Sequence, residues 1–282
     1  SWTSSFNISF NRNKVLSLND DEPSLASRVN WGNFNNAYPY IAIPGHPIAM
    51  FYGHIFDGVY QYTDFDKVGE SYILKDGVPN NGNAREKIQP GDIKFKDINR
   101  DGVVNDYDLT IIGNPNPKHI GGFGNNFQYK NFDLNVFFQW SYGGDVLNAN
   151  RIEFEGGDPN ARTSLNMFAS FANRWTPENQ TNELYRIGGQ GPAVYSSRTI
   201  EDGSFLRLKT VSLGYRLPNA WLKKINIKSL RVYASAQNLI TWTRYSGPDP
   251  EVSTRPTALT PSFDWSPYPR PRTLTLGVDI SF

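Results

Sequence analysis

The twelve residues DINRDGVVNDYD, 97–108, place oxygen-bearing side chains at the spacing that holds a calcium ion. Such a loop offers oxygens at alternate positions, ends on an acid at its twelfth residue and turns sharply on a glycine at its sixth. Here the ligands are Asp97, Asn99, Asp101, the Val103 carbonyl, Asn105 and Asp108, with Gly102 at the turn. The twelfth residue is aspartate where glutamate is usual, so its bidentate reach is shorter. GDIKF before the loop reads as a short strand and GNPNP follows soon after, so the flanking helices of a calcium sensor are poorly supported. The expectation is a structural Ca2+, or Mg2+, that stiffens a long loop. The same side chains can also hold a metal-free turn through Asx-type bonds.

Other chemistry-bearing residues are sparse. His46, His54 and His119 lack paired spacing and there is no cysteine, so neither a zinc site nor a thiol nucleophile is expected. Glu153 and Glu155, with Asp158, could suggest the carboxylate pair of a glycosidase. Residues two apart on an extended chain share a face without making a cleft, so EFEGGDPN reads as an acidic loop rim, and no enzyme is expected. Tyr233, Trp242, Tyr245 and Trp265 are candidates for stacking on sugar rings or lining a peptide path. For Trp242, near a strand end, the interfacial girdle of a barrel is the favoured role. ARTSLNMFASFANRW, 161–175, has helical spacing and stops at Pro177, which predicts a short helix inside a loop.

The elements that must position these residues are strands. RTLTLGVDISF puts Leu274, Leu276, Val278, Ile280 and Phe282 on one face and Thr273, Thr275, Gly277, Asp279 and Ser281 on the other. The pattern recurs in 1–10, 120–129, 132–142 and 228–240, and KVLSL predicts a further strand over 14–20. In FLRLKTVSLGYRL the apolar phase switches between Leu208 and Val211, which predicts a bulge. Strands of about ten residues, joined alternately by tight turns and long excursions, fit an outer-membrane barrel. Chain parity then runs 272–282, 204–216, 120–129 and 1–10 inward and the strands between them outward. It leaves 21–119, 143–203 and 241–271 as extracellular loops. Lysine and arginine number 28 against 27 acids, so no field points to nucleic acid, and no apolar run is long enough for a spanning helix. SWTSSFNISF is not a signal peptide, and an odd strand count implies a piece of a larger barrel.

FYGHIFDGVYQ, GDIKFKDINRDGVVNDYDLTIIGNPNPKHIGGFGNNFQYKNFDLNVFFQ, EDGSFLRLKTVSLGYRLP, LRVYASAQNLITWTRYSGPDPE and YPRPRTLTLGVDISF resemble, in order, the C-terminal third of SusC/RagA-type TonB-dependent transporters, outer-membrane proteins of Bacteroidetes. The resemblance implies an all-β fold in which residues 1–282 supply about seven long antiparallel strands of a 22-stranded transmembrane barrel. The plug and TonB box lie outside this sequence. It also implies import of oligosaccharides or peptides, a SusD-like surface lipoprotein as lid, and the TonB complex as energy source. A terminal aromatic, here Phe282, would be read by the barrel-assembly machinery. The rival is a soluble, calcium-stapled β-domain of a secreted glycan-binding or glycan-degrading protein.

Overall fold

The computed structural model describes residues 1–30, 37–156, 165–191, 195–223, 226–254 and 257–282. Six long strands form one antiparallel sheet, paired in chain order. They are β1 (Trp2–Ser9), β2 (His119–Tyr129), β3 (Phe132–Tyr142), β4 (Phe205–Arg216), β5 (Ser229–Thr243) and β6 (Thr273–Ser281). Their register turns the two faces of each strand into two faces of a sheet. One row reads Trp2, Phe127, Leu134, Leu213, Ala234, Leu276, and the next reads Thr3, Asn126, Asn135, Ser212, Ser235, Thr275. A one-residue slip in any strand would send its whole apolar set to the polar side.

The phase switch in β4 is a bulge: Leu208 and Thr210 follow one another against β3, with Lys209 as the extra residue. Lys130, at φ +51°, makes the tight turn between β2 and β3.

Residues 14–20 do not form a wall strand. Val15 N donates to His46 O at 2.9 Å and Gly45 N to Val15 O at 2.8 Å, so this segment is held by a loop instead. β1 pairs directly with β2. The sheet therefore has six strands where seven were expected, β1 runs opposite to the direction assigned by parity, and the first long connection leaves at residue 10 rather than 21. All three long connections emerge at one end of the sheet.

The hydrophobic core lies in those connections, not behind the sheet. One cluster joins Val29, Tyr40, Phe51, Leu147, Ile152 and Phe263. Another joins Val59, Ile93, Phe95, Val104, Trp175 and Leu184. Short paired strands run through the first cluster, including Tyr40–Ala42 with Met50–Gly53 and Asp145–Asn148 with Ile200–Asp202. On the wall, by contrast, Trp2, Phe6, Leu213, Leu274 and Leu276 are exposed. A soluble domain would bury such a face, whereas lipid covers it at no cost. No described helix is long and apolar enough to cross a membrane, which says nothing of crossing by strands.

Candidate functional site

The polar face carries a charged hub. Arg207 lies in the row Asn7, Gly122, Gln139, Arg207, Thr241 and is 2% exposed. Its Nε donates to Thr241 Oγ1 at 3.0 Å, Nη2 to Asp249 Oδ1 at 2.5 Å and Nη1 to Glu251 Oε2 at 3.2 Å. Arg270 donates to Glu251 Oε2 at 2.7 Å and its Nε lies 3.4 Å from Asp249 Oδ2. Gln139 Nε2 reaches Glu251 Oε1 at 3.4 Å. The segment around Asp249–Glu251 is thus a strap, tied across the polar face of β3, β4 and β5. Pro248 and Pro250 flank Asp249 and fix the backbone that presents it. No periodic signal in the sequence links Arg207 to acids some forty residues on, so this hub was not foreseen.

A second polar node anchors the strap. Asp264 is fully buried, accepts from Asn150 Nδ2 at 2.8 Å and accepts the Tyr245 hydroxyl. Burial lifts both Asp264 and Tyr245 above their ordinary values, and for Tyr245 the Asp264 charge adds to it. Nearby, Glu155 accepts from Arg151 at 2.9 Å and from Arg198 at 2.7 Å. Burial pushes Glu155 up, but the arginines and the Ser170 hydroxyl outweigh it and hold the carboxyl below its usual range. Between strap and wall lies a cleft of about 460 Å³, lined in part by Asn7, Gln139, Ser141, Pro250, Glu251 and Ser253. These groups offer hydrogen bonds to a polar ligand rather than covalent chemistry.

In the 97–108 loop every expected ligand side chain lies in one turn. Asp97 accepts from Arg100 N at 2.6 Å and Gly102 N at 2.8 Å, Asn99 from Asp101 N at 3.0 Å, and Asp101 from Val103 N at 2.8 Å. Asp108, fully buried, accepts from Ile98 N at 2.7 Å and Asn105 N at 2.9 Å. The Val103 carbonyl accepts from Asn105 Nδ2 at 3.2 Å. Arg100 and Gly102 have φ of +64° and +85°, the left-handed region that glycine adopts most cheaply. A strand, Ile93–Phe95, precedes the loop, as expected, and a single 3-10 turn, Asp106–Asp108, closes it. Among the described residues, no group of three or more His, Cys, Asp or Glu is placed to hold a metal ion; a cation here would depend on the asparagines and the carbonyl.

The remaining candidates separate. His46 is exposed in a loop, His54 packs on Phe95 with its pKa lowered by burial, and His119 faces outward at the end of β2. Glu155 is held by two arginines and so is no free acid, and Asp158 lies outside the described residues. The helix expected over 161–175 is a 3-10 turn, Ala169–Asn173; residues 161–164 lie outside the described residues. Its ends are set by extended backbone at Phe168 and Arg174, which overrides the apolar spacing. Tyr245, expected on the surface, is 5% exposed because its hydroxyl reaches Asp264, and Trp265 packs against the first core cluster. Tyr233 lies on the polar face, in register with Gly277, and Trp242 is exposed on the apolar one.

This two-faced sheet with its overlaid loops recurs in known proteins. The chain is 35% identical over its whole length to TonB-dependent receptor P3 of Formosa agariphila, covering 27% of that protein. It is 28% identical to TonB-dependent receptor SusC of Bacteroides thetaiotaomicron, covering 24% of it. The chain is homologous to the TonB-dependent receptors. It spans about a quarter of the length of these relatives. The structure of the RagAB peptide transporter aligns over all of this chain and 27% of that one, with a TM-score of 0.72 at 23% identity, a likeness of fold. The RagAB peptide importer in its closed-closed state aligns with a TM-score of 0.70 at 24% identity. No family model matches the chain. The relatives are receptors and transporters, not enzymes. TonB-dependent receptors of this kind are outer-membrane β-barrels, and the six strands are a segment of such a wall. One face of these strands is apolar and exposed, and the other is polar.

Proposed function

We propose that this chain forms part of the wall and the extracellular loops of a TonB-driven outer-membrane importer of oligosaccharides or peptides, working under a SusD-like lipoprotein lid. The observation that carries the reading is the register-matched sheet, apolar and exposed on one side, polar and strapped on the other. The homology to TonB-dependent receptors over the full chain supports it. The long connections then lie outside the cell, the short turns in the periplasm, and the cleft beneath the strap borders the transport path. The test is uptake of labelled oligosaccharides and labelled peptides by cells carrying the full-length protein. Uptake should vanish when either the protein or TonB is removed, and a surface lipoprotein should co-purify with the barrel. Uptake that persists without TonB would refute energy-coupled import, and the two label classes decide the cargo.

Within this reading the 97–108 loop is a staple held by one hard cation, Ca2+ or Mg2+. Carboxylate and amide oxygens that accept one backbone N–H keep a second lone pair for a metal. Elemental analysis of the full-length protein after exchange into calcium buffer should find one ion that Asp97→Asn removes. Equal metal content in parent and variant would leave the loop as a turn held by its own hydrogen bonds.

A further inference from the structure

The cleft between strap and wall holds more hydrogen-bond acceptors than the fold uses. Its charged lining residues are Asp145 and Glu251, and no lysine or arginine lines it among the described residues. Glu251 is saturated on one oxygen only. Its Oε2 receives Arg207 at 3.2 Å and Arg270 at 2.7 Å, with Lys209 at 3.8 Å. Its Oε1 receives only Gln139 Nε2 among the described residues, at a long 3.4 Å. Arg207 is 2% exposed, and its donors are spent on Thr241, Asp249 and Glu251 Oε2. Asp145 is half spent in the same way: Oδ2 accepts from Asn114 N at 2.7 Å, and Oδ1 accepts nothing among the described residues. Directly across the strand pair from Asp145 stands Asp202, a like charge. Neither aspartate forms an ion pair among the described residues. Burial, with the Asp202 charge behind it, raises the Asp145 carboxyl above its ordinary range, although Asn114 N and the Lys118 charge oppose this. Asn7, Ser9, Ser141 and Ser253 also line the cleft, and their side chains form no hydrogen bond among the described residues.

An ammonium matches such a lining. It carries three N–H donors and a positive charge and accepts nothing, so each bond it makes to a carboxylate is charge-assisted. A carboxylate or sulfate would bring acceptors to acceptors, and a neutral hydroxyl gains no charge. We propose that the cleft is a specificity site for a primary ammonium on the imported ligand, held by the Asp145 carboxylate and Glu251 Oε1 among the uncommitted amide and hydroxyl groups. The inference deepens the importer reading and rests on it. Amino sugars and peptides both carry this group, and the test separates them.

The test is calorimetric titration of the full-length protein in detergent at about pH 7, below the pKa of a free amine. The probes are glucosamine trisaccharide against its N-acetylated form, trialanine amide against N-acetyl-trialanine amide, and trigalacturonate as the anion. In at least one pair the free amine should bind about tenfold tighter than its acetylated twin, the worth of one charge-assisted hydrogen bond. The pair that shows the difference names the source, and trigalacturonate should bind no better than the acetylated forms. Asp145→Asn should lose about tenfold in affinity for the amine and leave the acetylated ligand unchanged, and Glu251→Gln should lose severalfold. Heat-modifiable migration reports assembly of each variant; if Asp145→Asn fails to assemble, Glu251→Gln and the acetylation ratio of the parent decide the matter. Equal affinity within both pairs, no binding of either amine, tighter binding of trigalacturonate, or an unchanged ratio in the assembled variants would each overturn the proposal. Cellular uptake of the bound amine with and without TonB is scored separately. Uptake that ignores TonB refutes the importer reading and leaves the amine preference standing, whereas TonB-dependent uptake that ignores acetylation refutes this inference alone.

Discussion

Adjacent residues of β6 offer a sharp test of which face meets lipid. Leu276 is 86% exposed and ends the apolar row of Leu134, Leu213 and Ala234. Thr275, its neighbour, ends the polar row of Asn135, Ser212 and Ser235. Both lie near the centre of Thr273–Ser281, so depth in the membrane, local backbone and strand pairing are shared, and only the direction of the side chain differs. Arginine at Leu276 places a charge in hydrocarbon and should cost about 2–4 kcal/mol. A long side chain can lift its head toward the boundary, so the lower half of that range is expected. Arginine at Thr275 enters a wet, polar lumen and should stay within about 0.5 kcal/mol. The folded-to-unfolded ratio should therefore drop by roughly thirtyfold for Leu276→Arg and hardly change for Thr275→Arg. The assay is reversible denaturant unfolding of the full-length protein in lipid vesicles. Equal costs, or a larger cost at Thr275, would refute the assignment of faces.

A methyl group at Gly121 would collide with the Trp140 ring and come within 2.6 Å of the Asn7 carbonyl oxygen, so Gly121→Ala should cost about 1–3 kcal/mol in the same assay. At Gly277 the obstacle is only the far end of Tyr233, and Gly277→Ala should cost less. Arg207→Met leaves the Asp249 carboxylate buried, with the Glu251 amide at 2.9 Å and Arg270 at 3.4 Å as its remaining partners. The loss should be about 3 kcal/mol, read as roughly hundredfold faster protease cleavage within residues 244–272, and unchanged cleavage would remove the strap from the argument. Asp264 is lifted by burial, so its folded form holds a proton more tightly than the unfolded chain. That contribution is complete below the unfolded value of about 3.9 and is lost as pH rises through the raised value. Relative to the parent, Asp264→Asn should gain loop stability as pH rises above about 4, followed by hydrogen exchange of residues 245–264. A pH-independent difference would be evidence against a raised Asp264.

The strands were legible because their signal is local. Alternation in RTLTLGVDISF or FDLNVFFQWSY states which face is apolar without reference to any other residue, and the bulge near Lys209 showed itself as a break in phase. The turn over 97–108 was equally local, since Gly102 and its flanking Asx residues make their bonds within a few positions of one another. What sequence could not decide were matters of partnership. Residues 14–20 alternate like a strand, but Asn13 and Val15 are captured by residues 45–48, and β1 pairs with a strand more than a hundred residues away. Tyr245 and Trp265 carry the composition of surface aromatics yet are drawn inward, one by a carboxylate and the other by an apolar cluster. Arg207 looks like any lumen-facing cation until Asp249 and Glu251 arrive from a distant loop to bury it. The sequence alone determined the period of each strand, because that follows from side-chain polarity along one chain. Tertiary structure decided direction, neighbours and burial, because these depend on contacts between segments whose separation along the chain leaves no periodic trace.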